Sequence, residues 1–290
     1  MKKILIIRCG ALGDLVYATS VIDALKYQFG DDTIIDFVST PGTAGIFKVD
    51  PRVNHVFPLK HKKLPIWLSR DKQNIINASL KEQYDYLINF EYGKQFTSLI
   101  KNIQADQKIG ANLKMPTIPN SITHSVEITK YMFKDIVSEE VYAKSFPRLV
   151  GTAISDVKKK YDLPDKYIII SPSNSHQKRN ILNYRAWEND SWQELIAKLN
   201  ENIQVVIIGN KGEDEFFDKL KPYPSGIMDL VGKTPLVDLI GVIENADALV
   251  ATDTGTAHIA SSVSTEVFAL IGPTPSDVTG PYQSPTNKVH

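Results

Sequence analysis

The stretch Lys3-Ile4-Leu5-Ile6-Ile7-Arg8-Cys9-Gly10-Ala11-Leu12-Gly13-Asp14-Leu15 sets the pattern for the whole chain. Residues 3–9 form a short apolar run of the length of a buried parallel strand. Gly10 and Gly13 mark a tight turn, and apolar residues at helical spacing follow through residues 12–29. Strand, turn and helix then recur. Strands are predicted at 33–39, 53–59, 84–90 and 107–111, with a helix between the first two and further helices at 93–102 and 123–134. Around 146–165 the pattern loosens, with Pro147, Gly151 and Pro164 bracketing a polar stretch that ends in Lys158-Lys159-Lys160. A domain junction is expected there. Alternation resumes with strands at 167–171, 205–208, 228–231, 248–251 and 267–271, and with helices after Trp187, Gly212, Pro235 and Gly255. The pattern predicts an α/β protein of two Rossmann-like doubly wound domains, 1–150 and 151–290, facing across a cleft at the carboxyl ends of their strands.

Composition narrows the class. The 290 residues are 42% hydrophobic, enough for two cores. No apolar run reaches the roughly 18 residues that a membrane span needs. The apolar start is short for a signal peptide and lacks a small-residue cleavage site. Cys9 is the one cysteine, which excludes an internal disulfide framework and points to a reducing compartment, the cytoplasm. At a strand end it reads as a buried structural thiol. Lys plus Arg and Asp plus Glu both number 33, so nothing global favours nucleic acid as partner. One local bias stands out: Lys60, His61, Lys62, Lys63, Arg70 and Lys72 face only Asp71. The run suits an anionic acceptor or is a solvated loop and helix face.

Chemistry is sought in the loops that follow strands. In the first, Asp14 falls at or just inside a helix start, where both catalysis and helix capping are open to it. Two glycines and an Asp36 within its strand do not make the dinucleotide fingerprint. In Ala251-Thr252-Asp253-Thr254-Gly255-Thr256-Ala257-His258 a strand runs into a helix, and free N–H groups with the hydroxyls of Thr254 and Thr256 offer a diphosphate site or a plain capped helix. Ser173, Asn174, Lys178, Arg179 and Arg185 supply donors and cations after another strand. Glu213, in Gly209-Asn210-Lys211-Gly212-Glu213, is a carboxylate placed to accept from a ribose or to favour a helix start. There is no Asp-x-Asp pair, no His-x-x-x-His, no Gly-x-x-x-x-Gly-Lys-Ser/Thr loop and no Gly-x-Ser-x-Gly elbow. A tightly held metal, a P-loop nucleotidase and a serine hydrolase are therefore not expected.

With these loops placed, the chain resembles the ADP-heptose:lipopolysaccharide heptosyltransferases, glycosyltransferase family 9. The likeness rests on Gly13-Asp14, on Arg185-Ala186-Trp187 through Trp192-Gln193-Glu194-Leu195, and on Asp253-Thr254-Gly255 with His258 and Ile271-Gly272-Pro273-Thr274. It implies a fold of the GT-B type, Asp14 as catalytic base, and no metal or cofactor beyond the nucleotide-sugar donor. Donor-binding positions implied are Gly13, Ser173, Asn174, Arg185, Glu213, Thr234, Asp253, Thr254, Gly255, Thr256 and His258. Arg185 stands where the family has lysine, Glu188 replaces its proline, and Lys178 or Arg179 are alternatives for that charge. Glu91-Tyr92-Gly93-Lys94 and Thr123-His124-Ser125-Val126-Glu127 match segments bordering the acceptor, for which Lys62, Lys63 and Lys94 are the expected cations. Gly280-Pro281-Tyr282 is followed by only eight residues, whereas family members continue into a last strand and helices. The carboxyl domain is thus expected to be short, whether truncated or naturally so.

The expectation is an inverting, metal-independent transfer of a heptose-type sugar from ADP-heptose to a lipopolysaccharide inner-core acceptor in the cytoplasm, at the inner face of the inner membrane with at most peripheral contact. The alternatives are a nucleotide-sugar epimerase, an NAD-dependent oxidoreductase, or a non-catalytic nucleotide-sugar-binding protein.

Overall fold

In a computed structural model, residues 1–174 and 183–290 are described. The chain divides into two compact units, Met1–Arg148 and Leu149–His290. The first is built on strands β1 (Lys3–Ile7), β2 (Ile34–Ser39), β3 (His55–Pro58), β4 (Tyr84–Asn89) and β5 (Ala105–Gly110), all parallel, in the order β3-β2-β1-β4-β5. The second has β6 (Tyr167–Ser171), β7 (Gln204–Ile207), β8 (Met228–Asp229), β9 (Ala248–Thr252) and β10 (Glu266–Leu270), again all parallel, in the order β10-β9-β6-β7-β8. Counted from its own first strand, each sheet follows the same thread: two strands to one side of the first, then two to the other.

Parallel strands are covered on both faces, which is why they read as unbroken apolar runs. In β1, Leu5 and Ile7 pack with Ile75, Leu87, Phe96 and Leu99. Ile4 and Ile6, pointing the other way, are equally buried. In the second unit Ile168 and Ile170 pack with Trp192, Ile196 and Phe217. Residues Lys288 to His290 run along the outer side of β10: Val267 N–H donates to the Lys288 carbonyl at 2.9 Å, Ala269 N–H to that of His290 at 2.9 Å, and His290 N–H to that of Val267 at 2.8 Å.

Four expectations from the sequence change. The helix expected between residues 39 and 53 is only a 3-10 turn, Ala44–Phe47. The helix predicted over 12–29 is two, Leu12–Ala18 and Ser20–Phe29. At the break the buried hydroxyls of Thr19 and Ser20 donate back to the carbonyls of Val16 (2.7 Å) and Tyr17 (2.9 Å), competing with the helical ladder. Lys72, counted among surface cations, is 1% exposed. Its ammonium donates to the carbonyls of Leu64 (2.8 Å) and Gln95 (3.3 Å), and burial lowers its pKa. The polar stretch before residue 165 is no linker throughout: Ile154–Tyr161 is a helix packed on the helix Leu236–Glu244, with Val157 fully buried.

Asp238 locks that helix pair. It accepts from Thr152 Oγ1 at 2.6 Å, Lys160 Nζ at 2.6 Å and Tyr161 Oη at 2.7 Å. Burial by itself would raise its pKa, but these donors outweigh it and hold the carboxyl below the ordinary range. Because the folded pKa is depressed, the stabilisation is complete above the unfolded carboxylate range and is lost as pH falls through the folded value. Asp238→Ala is expected to lower the melting temperature at pH 7 by roughly 5 °C. Calorimetric scans at pH 7 and at successively lower pH should show the deficit shrinking once the pH falls below the unfolded carboxylate range.

Candidate active site

In each sheet the chain leaves the first strand on one side and returns to fill the other. Loops at the carboxyl ends of β1 and β4, and of β6 and β9, therefore diverge, and open α/β sheets bind ligands at such points.

At the first of these, the helix Leu12–Ala18 begins one residue after Ala11, so Asp14 is its third residue. Asp14 Oδ2 accepts the Ala11 N–H at 3.0 Å, and Oδ1 pairs with the Arg8 guanidinium at 2.9 Å. The side chain stays 41% exposed. Helix capping and availability for chemistry are thus both present in one carboxylate. Gly10 is required by this geometry, since a Cβ there would stand 2.4 Å from Asp14 Oδ2. Arg8 is anchored in turn, donating to the Phe90 carbonyl at 2.7 Å and lying 3.9 Å from Glu91. Glu91 accepts the Cys9 N–H at 2.6 Å. Lys62 reaches the same loop, its ammonium donating to the Cys9 carbonyl.

At the second, Ser173 Oγ donates to Glu213 Oε2 at 2.7 Å, and the Asn210 N–H donates to the same oxygen at 3.0 Å. Ser171 Oγ and Thr256 Oγ1 stand 2.8 Å apart, and Asn183 Nδ2 donates to Asn174 Oδ1 at 3.1 Å. Arg185 Nε pairs with Asp253 Oδ2 at 3.2 Å. The segment carrying Arg185 lies close over the loop after β10, because Gly272 has no side chain: a Cβ there would meet the Tyr184 carbonyl at 2.5 Å. Thr254 caps the helix Gly255–Ser262 by position only, its own side chain making no bond to that helix start. Its first N–H groups have no intrahelical acceptors, while His258 is buried within it. Beside this cluster Glu213, Trp187, Phe216 and Asn183 line a depression of about 470 Å³.

The predicted donor-side residues Ser173, Asn174, Arg185, Glu213, Asp253 and Thr254 therefore fall on the loops after β6, β7 and β9, and Gly255, Thr256 and His258 on the helix that follows β9. Gly13 belongs instead to the first unit, inside the helix that carries Asp14. Thr234 lies half-buried on the loop after β8, with no hydrogen bond to the cluster among the described residues. Lys178 and Arg179 lie outside the described residues. Of the three lysines expected on the acceptor side, Lys63 and Lys94 line a common depression of about 440 Å³ with Lys72 and Lys101, while Lys62 turns to the Cys9 loop. Sequence reasoning missed the roles of Arg8 and Glu91. Their sequence signal is slight, since each is one charged residue at a strand end. Among the described residues no group of three His, Cys, Asp or Glu side chains is placed to hold a metal ion.

Twin parallel sheets of one topology, each with polar loops at its strand-end crevice, are the framework of a GT-B glycosyltransferase. Among solved structures, the chain is similar to a family 9 glycosyltransferase from Veillonella parvula DSM 2008, with TM-score 0.83 and 15% identity, covering 100% of this chain and 86% of that one. It is similar too to the ADP-heptose lipopolysaccharide heptosyltransferase II of E. coli, with TM-score 0.78 and 18% identity over 100% and 90% of the two chains. In sequence it is 24% identical over 286 residues to lipopolysaccharide heptosyltransferase 3 of Escherichia coli (strain K12), covering 90% of this chain and 80% of that protein. Residues 79–290 match the model of Glycosyltransferase family 9 (heptosyltransferase), and the chain belongs to that family. It is a glycosyltransferase.

Cys9 lies within the first loop but is fully buried. Burial first, and Glu91 after it, push its thiol up to about 12 against the opposing pull of Lys62 and Arg8. Titration with a thiol reagent at pH 8 should therefore be on the order of 10³ slower for the folded protein than in denaturant. Because Cys9 is the only cysteine, that rate reports this loop alone.

Proposed function

We propose that this protein is an inverting, metal-independent transferase that moves a heptose-type sugar from ADP-heptose to the inner core of lipopolysaccharide, acting in the cytoplasm at the inner face of the inner membrane. The carrying observation is the start of the helix Gly255–Ser262, without a side-chain cap, beside the Arg185–Asp253 pair at the end of β9. Backbone N–H groups and a helix dipole there favour a diphosphate. The depression beside it is lined by Trp187 and Phe216, apolar surface for a nucleobase, and by Glu213, whose carboxylate suits ribose hydroxyls. Gly13 and Thr234 are carried over from the family as further donor contacts.

In the reaction, Asp14 accepts the proton of the acceptor hydroxyl as that oxygen attacks the anomeric carbon. The bond to the nucleotide diphosphate breaks on the opposite face, so configuration inverts. Charge accumulates on the departing β-phosphate, where Arg185 and the helix start stabilise it, and this supplies by protein groups what a divalent ion supplies elsewhere. The pair with Asp253 keeps Arg185 oriented until a phosphate competes for it. Lys62, Lys63 and Lys94 offer positive charge to phosphate or carboxylate groups of the acceptor.

Asp14→Asn is expected to lower kcat by about 10²- to 10⁴-fold, with ADP affinity unchanged by calorimetric titration. Activity equal to wild type would remove Asp14 from the base role. Arg185→Ala should lower both kcat and donor affinity, and wild-type transfer should persist in excess EDTA. Loss of transfer in EDTA with recovery on adding magnesium would refute metal independence.

A further inference from the structure

The strand-end loops of the first unit hold a carboxylate that the reaction proposed above does not use. Arg8 faces two of them, Asp14 Oδ1 at 2.9 Å and Glu91 Oε1 at 3.9 Å. Backbone fixes the guanidinium as well: Nη1 donates to the carbonyl of Phe90 at 2.7 Å and Nε to that of Asp14 at 3.2 Å. The Arg8 side chain is 17% exposed and that of Glu91 13%, whereas that of Asp14 is 41% exposed. Asp14 is thus the carboxylate open to a substrate, and Glu91 the one enclosed with the arginine.

Glu91 is held from two strands. Its Oε1 accepts the Cys9 N–H at 2.6 Å, which ties it to the loop after β1. Its own N–H donates to Asn89 Oδ1 at 3.1 Å, while Asn89 Nδ2 donates to the carbonyls of Glu91 at 2.9 Å and Ala111 at 2.7 Å. Asn89 is fully buried at the end of β4. Accepting the Cys9 N–H needs an oxygen but no charge. The use of the charge follows from the fate of Asp14. When Asp14 takes the acceptor proton, the acceptor O–H bond breaks, an O–H bond forms on the carboxylate, and Asp14 becomes a neutral acid. Arginine stays protonated throughout. Arg8 would then be a largely enclosed cation without a counter-charge, which is costly. With Glu91 beside it the cation keeps a partner. Arg8 and the two carboxylates pass from one net negative charge to neutrality, instead of from neutrality to one positive charge. Lys62, whose ammonium donates to the Cys9 carbonyl, adds positive charge to the same loop and sharpens the need. The Tyr92 phenol also lies in the field of Arg8, but burial raises its pKa and it supplies no charge at neutral pH.

We infer that Glu91 is a positioning residue for the transfer: it balances the charge of Arg8 while Asp14 is protonated, and so lets a carboxylate paired with arginine act as a base. The inference rests on the reading of Asp14 as the base and adds a residue that works through it. The test is steady-state transfer by the full chain from ADP-heptose to inner-core lipopolysaccharide lacking heptose, for Glu91→Gln in the wild-type and Asp14→Asn backgrounds. Glutamine keeps an oxygen for the Cys9 N–H and removes only the charge. Glu91→Gln should lower kcat by about tenfold or more, as part of what general-base help supplies. Both KM values, ADP affinity and melting temperature should stay as in wild type. Glu91→Asp, which keeps the charge on a shorter side chain, should recover part of the loss. In the Asp14→Asn background Glu91→Gln should change nothing, because a residue acting through the base has no effect once the base is gone.

Wild-type kcat in Glu91→Gln, an equal fold-loss in both backgrounds, or a loss that comes with weaker ADP binding and a lower melting temperature would each overturn the inference. The reading of Asp14 fails separately, through Asp14→Asn turning over at the wild-type rate. A slow Asp14→Asn together with Glu91→Gln at the wild-type rate leaves that reading standing and removes the role of Glu91 alone.

Discussion

Each sheet is constrained by the position of its first strand. β1 and β6 are laid down first yet end in the middle, with neighbours added on both sides, so the crossovers to β2 and to β7 leave in one direction and those ending in β4 and β9 return from the other. Backbone that departs in opposite directions cannot close over the strand ends, and the gap there has to be lined by whatever side chains the loops carry. The hydrophobic strands fix where the gap lies. The loops decide what it can do.

The two gaps are furnished differently on one framework. That of the first unit is organised around a guanidinium, Arg8, which ties Asp14, the Phe90 carbonyl and Glu91 into one array and leaves a carboxylate oriented and partly open. That of the second places hydroxyls, amides and a single arginine around an anion-favouring helix start. A partly open carboxylate in one crevice, and an arginine beside a helix start in the other, are what the proposed roles of proton acceptor and leaving-group holder require. In both, an ion pair holds the charged side chain in place: Arg8 with Asp14, and Asp253 with Arg185.

How much could be read in advance follows from where the physical signal lies. The ten strands among the described residues were legible, the central β1, β6 and β9 most directly, because burial on both faces writes itself as apolar runs of strand length. The helix Ile154–Tyr161 was not, since Val157 is its single buried residue and the polarity around it reads as linker. The loops proposed to carry the chemistry were singled out by glycines, hydroxyls and charges following strands. Their internal wiring was not: Arg8 meets Phe90 and Glu91 across more than 80 residues of chain, and nothing in local sequence encodes that contact. Lys72 shows the same limit from another side, for its composition says surface while two carbonyls draw its ammonium inward.

The residues laid along β10 have a consequence for how the protein keeps to itself. A parallel sheet has two border strands, and each unpaired row of N–H and carbonyl groups is a template on which a foreign strand can grow. Lys288 to His290 occupy that row at β10, and the His290 ring stacks on Phe268, one of the few large apolar side chains the second unit leaves exposed. These residues thus work as a selvage along β10, covering a side of the cloth that would otherwise lie open to its neighbours.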